Sequence, residues 1–197
     1  MAEYRFFAGD VPYVSTAEFH ADRERVAHLE QLQHRPRMDV AAMMVAEAAA
    51  SGAATVSDLG CGDGGLLSLL ELFPHVTAWG YDFAPANAAG WVERGVKAEQ
   101  LDVFGADRDR VKLGDITVIT EVLEHIADPH GAVRWIGEHS KWIVASSPWN
   151  EVPGRHDECH AWGWDPPGYR ELMRQGGFTP VRHESVGPFQ VLLGRRS

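Results

Sequence analysis

Apolar positions change their period along this chain. Between Ser15 and Ala50 they recur at helical spacing, and beyond Ala54 short β-branched runs alternate with amphipathic stretches. Ser15-Thr16-Ala17-Glu18 has capping-box spacing and predicts a helix start. Phe19, Val26 and Leu29 share a face of that helix, with Arg23, Arg25 and Glu30 at polar positions. Pro36 is expected to end or kink it, and an alanine- and methionine-rich helix follows from about Arg37 to Ala50. Further on, strands are expected at 54–59, 76–81, 98–103, 116–120 and 142–146, separated by helices at 66–73, 85–94 and 129–139. That alternation predicts parallel βαβ units covered on both faces. A helix at 166–175 stops at Gly176-Gly177, and strands at 178–186 and 189–193 flank Gly187-Pro188 as a closing antiparallel hairpin. Residues 1–14 read as an irregular aromatic arm, and 147–165 as a long connection of the kind that often carries function.

Composition narrows the classes. A chain of 197 residues reads as one domain, with 28 acidic against 18 basic residues and a formal net charge of −10. A protein whose partner is a phosphate backbone needs a basic face, so no nucleic acid partner is expected. Cys61 and Cys159 are too few for a disulfide framework or a four-cysteine zinc site. Met1-Ala2-Glu3-Tyr4-Arg5 lacks the basic-then-apolar order of a signal peptide, and no apolar run approaches the ~20 residues that span a bilayer. A cytoplasmic monomer or homodimer, without membrane contact, is the expectation.

The chemistry starts at Asp58-Leu59-Gly60-Cys61-Gly62-Asp63-Gly64-Gly65, between a strand and a helix. Gly60, Gly62 and Gly65 satisfy G-x-G-x-x-G, which a dinucleotide site or an ordinary tight turn would also satisfy. A pyrophosphate seeks the bare helix N-terminus, and Asp58 and Asp63 would oppose it. Both acids suit a cofactor with a sulfonium or ammonium group and no phosphate. Asp82 ends the next strand, about 20 residues on, where a carboxylate can accept from both hydroxyls of a ribose.

Asp58-x-Gly60-x-Gly62-x-Gly64, with Cys61 inside it, resembles the glycine loop of the class I, Rossmann-like methyltransferases that use S-adenosylmethionine (SAM). Leu101-Asp102-Val103-Phe104 resembles that family's adenine site, with Asp107 and Asp109 as lesser alternatives to Asp102. Thr120-Glu121-Val122-Leu123-Glu124-His125-Ile126-Ala127-Asp128-Pro129 resembles the E-V-L-E-H segment of many small-molecule members. The resemblance implies an α/β fold: a doubly wound, mostly parallel seven-stranded sheet with a C-terminal antiparallel hairpin and an N-terminal helical cap. It implies one domain, with an arm and cap over 1–52 and a SAM-binding core over 53–197. It also implies methyl transfer to a small molecule, at oxygen or nitrogen, with S-adenosylhomocysteine as product. Asp58, Gly60, Cys61, Gly62, Asp63 and Gly64 would cradle the methionine side and Asp82 the ribose. Phe83, Asp102 and Val103 would frame the adenine, and Glu121 would stand at the pocket rim.

The connection Gly154-Arg155-His156-Asp157-Glu158-Cys159-His160-Ala161-Trp162-Gly163-Trp164 leaves the sheet edge where an acceptor should lie. Histidine titrates in the range needed to take an acceptor's proton, so His160, His156 and His125 are the acid/base candidates. Trp149, Trp162 and Trp164 are candidate walls for the acceptor, and Tyr4, Phe6, Phe7 and Tyr13 candidate lid residues, with Tyr13 also counted among the acceptor-binding candidates. The competing reading is loop hydrogen bonding and aromatic packing. Two other functions stay open. Glu121, Glu124, His125 and His160 resemble in part the two-Glu, two-His metal site of RNA 3′-terminal 2′-O-methyltransferases, and such a set suits Mg²⁺ or Mn²⁺. A non-catalytic SAM-binding module would keep the same fold.

Overall fold

Most apolar runs beyond Ala54 become strands with both faces buried. The protein is described here by a computed structural model covering residues 3–7 and 24–197. A short strand, β1 (Glu3–Arg5), precedes helix α1 (Arg35–Ala49). Then β2 (Thr55–Leu59), α2 (Gly65–Leu70), β3 (Thr77–Asp82), α3 (Ala88–Arg94) and β4 (Ala98–Gln100) wind in one direction. The chain crosses back to β5 (Ile116–Thr120), α4 (Pro129–His139) and β6 (Trp142–Pro148). It finishes with β7 (Trp162–Trp164), α5 (Pro166–Gln175), β8 (Phe178–Val186) and β9 (Phe189–Arg196).

Seven strands form one sheet in the order β4-β3-β2-β5-β6-β9-β8, parallel from β4 to β6, with β9 antiparallel between β6 and β8. The direction of winding reverses between β2 and β5, where Asp58 lies beside Val118. In open α/β sheets that reversal opens a crevice at the carboxyl ends of the strands.

Side chains alternate strictly between two cores. Ile116, Val118, Val144, Val191 and Leu193 face α1 through Met38, Ala41, Met44, Val45 and Ala48. Ile119, Ile143, Ala145 and Leu192 face the opposite layer, where α4 supplies Val133 and Ile136 and α5 supplies Tyr169, Leu172 and Met173. Each such buried side chain stabilises by roughly 1.5–3 kcal/mol, which is why the period-two pattern fixes the register of the central strands.

Five expectations need correction. Pro36 opens α1 instead of ending a helix, because a first-turn residue has no intrahelical N–H to lose. Residues 24–27 have no regular structure and 28–30 form only a 3₁₀ turn, so no helix runs on to Pro36; the predicted start at Ser15 lies outside the described residues. The 85–94 helix is a 3₁₀ turn over Pro85–Asn87 followed by α3. β4 stops at Gln100, beyond which the Leu101 N–H donates to the Asp82 carbonyl at 3.0 Å. The arm and the long connection are not wholly irregular, since β1 pairs antiparallel with β7, Tyr4 opposite Gly163.

Among the described residues no helix is long and apolar enough to cross a membrane. Gly80, in the middle of β3, is where the sheet touches the glycine loop. A Cβ there would lie 2.7 Å from Cys61 and from the Leu67 side chain. Gly80→Ala is therefore expected to cost about 1–3 kcal/mol by overpacking. Urea denaturation checks this, and an unchanged midpoint would show that the loop can retreat freely.

Candidate active site

Three strands bring acids to the crevice: Asp58 on β2, Asp82 at the end of β3, and Glu121 just after β5. The loop after β2 folds because Gly60, Gly62 and Gly64 all adopt positive φ, a region that L side chains rarely occupy. Gly60 also has no room for a side chain, as a Cβ would lie 2.4 Å from Val122. The loop consumes its own donors. Gly60 and Cys61 N–H both donate to the Tyr81 carbonyl, at 2.8 and 3.0 Å. The Gly62 N–H donates to Asp82 Oδ2 at 2.9 Å, and the Gly65 N–H to Asp63 Oδ1 at 3.2 Å. The other Asp82 oxygen accepts from Ala84 N–H at 2.8 Å and Asn87 Nδ2 at 3.0 Å.

Asp63 turns its carboxylate to two arginines. It is buried and gripped by Arg25 Nη2 and Arg94 Nη2, each at 2.8 Å. Arg94 also meets Glu30 at 2.8 Å, and Arg25 meets Glu93, so this cluster ties the segment before α1 to the loop and to α3. The charge of Asp63 is satisfied within the protein.

Asp58 differs. It is fully buried with Oδ1 lacking any hydrogen-bond partner. Burial, and secondarily the Asp82 charge, push its carboxyl from an ordinary 3.8 to about 7, against the pull of Arg37. Arg37 is itself buried. It donates from Nη1 to Ser146 Oγ at 3.4 Å, stands 3.9 Å from Glu121 Oε1, and lies 5.2 Å over the Phe189 ring. Its Nε, the atom facing Glu121, makes no hydrogen bond. Sequence reasoning missed Arg37, although a signal existed: it shares a buried helical stripe with Ala41, Met44, Val45 and Ala48. Cys61 is buried, and burial first, then Asp58 and Asp82, hold its thiol well above the usual range, so it is chemically quiet.

Beyond β4 the chain turns on Asp107, whose Oδ2 accepts from the Asp102 N–H at 3.0 Å. That bond and Arg110 keep the Asp107 carboxyl below its ordinary range. Asp107 thus shapes the turn carrying Asp102, while Val103 is buried in the core with Leu101. The Phe83 carbonyl accepts from Gln100 Nε2 at 3.2 Å.

On the other side of the crevice Glu121 holds a strained φ of 57°. Its N–H donates to the Ser146 carbonyl at 3.0 Å, and its Oε1 accepts from Ser146 Oγ at 2.7 Å. Glu124 is buried with neither carboxylate oxygen partnered, and burial holds its carboxyl well above the usual range. His125 and His160 meet edge to face at 4.6 Å. His125 Nδ1 donates to the Cys159 carbonyl at 3.0 Å, and His160 Nδ1 donates to Glu151 Oε2 at 2.7 Å.

The remaining candidates separate from this pair. His156 stacks flat on Phe6 at 4.0 Å, with Phe7 at its edge, so the arm covers it. Trp149 donates from Nε1 to the Gly187 carbonyl at 2.9 Å, which ties it to the hairpin turn. Trp162 stacks on Trp164 at 6.2 Å with Arg5 above it at 5.3 Å. Tyr13 lies outside the described residues. Glu151 was missed because nothing in the local pattern links it to His160, nine residues on.

A family model described as "Methyltransferase domain" matches residues 28–183. The chain belongs to this family. The sheet order and the acid-lined crevice are thus those of a methyltransferase domain. Solved structures with the same fold are distant in sequence. Magnesium protoporphyrin IX methyltransferase from Synechocystis PCC 6803, with bound SAH, has a TM-score of 0.68 at 15% identity, over 91% of this chain and 92% of that one. An O-methyltransferase family protein from Burkholderia thailandensis has a TM-score of 0.66 at 16% identity. That alignment covers 83% of this chain but only 56% of the other. The 1,6-didemethyltoxoflavin-N1-methyltransferase of the same organism, with its acceptor and S-adenosylhomocysteine bound, has a TM-score of 0.63 at 20% identity, over 81% and 78% of the two chains. A search of curated proteins by sequence gives no significant match.

The raised carboxyl of Asp58 has a consequence for stability. The folded methyltransferase binds that proton more tightly than the unfolded chain does. Folding is therefore favoured below pH 4 as far as Asp58 is concerned, and that contribution is lost as pH rises from about 4 to about 7. Denaturant titrations of the ligand-free protein between about pH 5 and 8 should show stability falling with pH, less steeply in Asp58→Asn. Equal slopes would mean that Asp58 is not buried as an acid.

Proposed function

We propose that this domain transfers a methyl group from SAM to a small-molecule acceptor and releases S-adenosylhomocysteine. The observation that carries the reading is the spent glycine loop. The N–H groups of Gly62 and Gly65, which a pyrophosphate would need, already donate to Asp82 and Asp63. What faces the crevice is acidic: Asp58, Asp82 and Glu121, with Arg37 as the nearby cation. Such a wall repels phosphates and suits a cationic donor bearing hydroxyls.

The residues present fit that donor. SAM supplies a methyl group on a sulfonium whose departure leaves a neutral thioether. The Asp58 oxygen and the Arg37 Nε that lack hydrogen-bond partners are buried polar atoms that the amino-acid end would satisfy, its ammonium against Asp58 and its carboxylate against Arg37. Asp82 would accept from the ribose hydroxyls. Phe83, Asp102 and Val103 would frame the adenine. His160 would take the acceptor's proton, with His125 beside it. The small acceptors named for the two relatives with 15% and 20% identity support a small-molecule substrate. A net charge of −10 speaks against a nucleic acid partner, and two buried free cysteines suit a cytoplasmic location.

A second reading rests on one cluster. One ligand atom each from Glu124, His125 and His160 lie within 4.8 Å of one another. That set suits a divalent metal and keeps the RNA-modifying function in play.

Calorimetric titration separates these readings. S-adenosylhomocysteine should bind the wild type, and at least about tenfold more weakly in Asp82→Ala and in Arg37→Ala, since each loses a charge-assisted contact. NADH should not bind. Folded protein that ignores S-adenosylhomocysteine would overturn the assignment. Manganese binding that disappears in His160→Ala, with activity lost in EDTA, would replace the metal-free reading by the second one.

A further inference from the structure

Glu151 lies in the connection after β6 and makes two bonds with one carboxylate. Its Oε1 accepts from the Asp157 N–H at 2.9 Å, and its Oε2 from His160 Nδ1 at 2.7 Å. The side chains of His160 and Glu151 are only 13% and 14% exposed, so bulk water screens the pair weakly. Asp157 closes the same loop from the other side. Its carbonyl accepts from the His160 N–H at 3.1 Å, and its Oδ1 from the Cys159 N–H at 2.8 Å. His160 is thereby held at its backbone and at its ring by one short segment.

A carboxylate on Nδ1 sets the tautomer. It keeps the proton on Nδ1 and leaves the lone pair on Nε2. The ring Nδ1 atoms of the other two histidines meet backbone carbonyls. His125 donates to a neutral carbonyl, and His156 donates to the carbonyl of Asp157 at 2.8 Å and lies under Phe6.

We infer that Glu151 is a positioning residue for methyl transfer, acting through His160; the inference rests on His160 being the acceptor's base. As the acceptor's heteroatom forms its bond to the methyl carbon, the carbon–sulfur electron pair returns to sulfur. The acceptor's proton passes to His160 Nε2, and Glu151 carries the countercharge of the imidazolium. Nε2 later releases the proton to solvent.

The competing role is a loop staple, and Glu151→Gln distinguishes the two. A glutamine Oε1 still accepts from the Asp157 N–H, so the loop stays closed. Its amide N–H would donate to Nδ1, driving the ring proton to Nε2 and removing the lone pair. Nitrogen-15 NMR of the complex with S-adenosylhomocysteine reads this directly. Wild type and Glu151→Asp should show neutral His160 protonated on Nδ1, and Glu151→Gln should show it protonated on Nε2. Carbethoxylation of His160 by diethyl pyrocarbonate, followed by peptide mass spectrometry, should slow at least about tenfold in Glu151→Gln, with an unchanged melting temperature. A wild-type ring protonated on Nε2, or a tautomer and reactivity indifferent to Glu151→Gln, would overturn the inference. Absence of S-adenosylhomocysteine binding to the wild type would instead sink the methyl-donor reading, while the tautomer of the unliganded protein would still decide the role of Glu151.

Discussion

Negative charge at the carboxyl end of a parallel sheet, too buried for water to neutralise, governs this molecule. Asp58 and Asp82 lie on neighbouring strands, Glu121 lies across the winding reversal, and Arg37 stands between them. Burying such charges costs several kcal/mol per ion unless partners replace the lost water. Each element around the crevice supplies part of that replacement. The glycine loop turns its N–H groups inward, β6 offers Ser146, and α1 threads a guanidinium through an otherwise apolar face. The atoms left without a hydrogen bond include one Asp58 oxygen, both Glu124 oxygens and the Arg37 Nε.

The same constraint explains why the segment before α1 belongs to the core. Asp63 needs Arg25 and Arg94, and those arginines in turn hold Glu93 and Glu30. A loop of glycines is entropically expensive to order. Two arginines anchored on different segments hold it in place, and Trp91 closes its floor by donating from Nε1 to the Gly62 carbonyl at 2.7 Å. The loop is thus organised by side chains from three separate segments.

How much of this was legible depends on whether the information is local. The strands at 116–120 and 178–186, and the helices at 129–139 and 166–175, match the sequence reading residue for residue, because period and caps lie within a few residues of one another. The Asp128 and Asp165 side chains cap the helices that follow them, accepting from the Gly131 and Gly168 N–H groups. Asp58, Gly60, Gly62 and Asp82 stand at the crevice because strand ends and spacing specify them. Arg37, Glu151 and the β1–β7 pair were not legible. Arg37 reaches Ser146, 109 residues away, and β1 pairs with a strand more than 150 residues on; no local period encodes such partners. The arginine partners of Asp63 were not legible either, because its spacing reports that the acid is present, not which arginines neutralise it.

The two-stranded pairing of β1 with β7 separates the molecule's two jobs in a way that bears on its divergence. Backbone atoms hold that pair, and the side chains of β1, unlike Trp164 of β7, lie outside both cores of the sheet. Phe6, immediately after β1, covers His156 and Gly163, beside the His160 loop, whereas the glycine loop and its acids sit on strands locked by two cores. Replacing a handful of residues at the start of the chain can reshape the wall over that loop without disturbing a buried contact of the central sheet. Selection for a new acceptor therefore has an inexpensive place to begin, at the opposite end of the sequence from the connection it would retune.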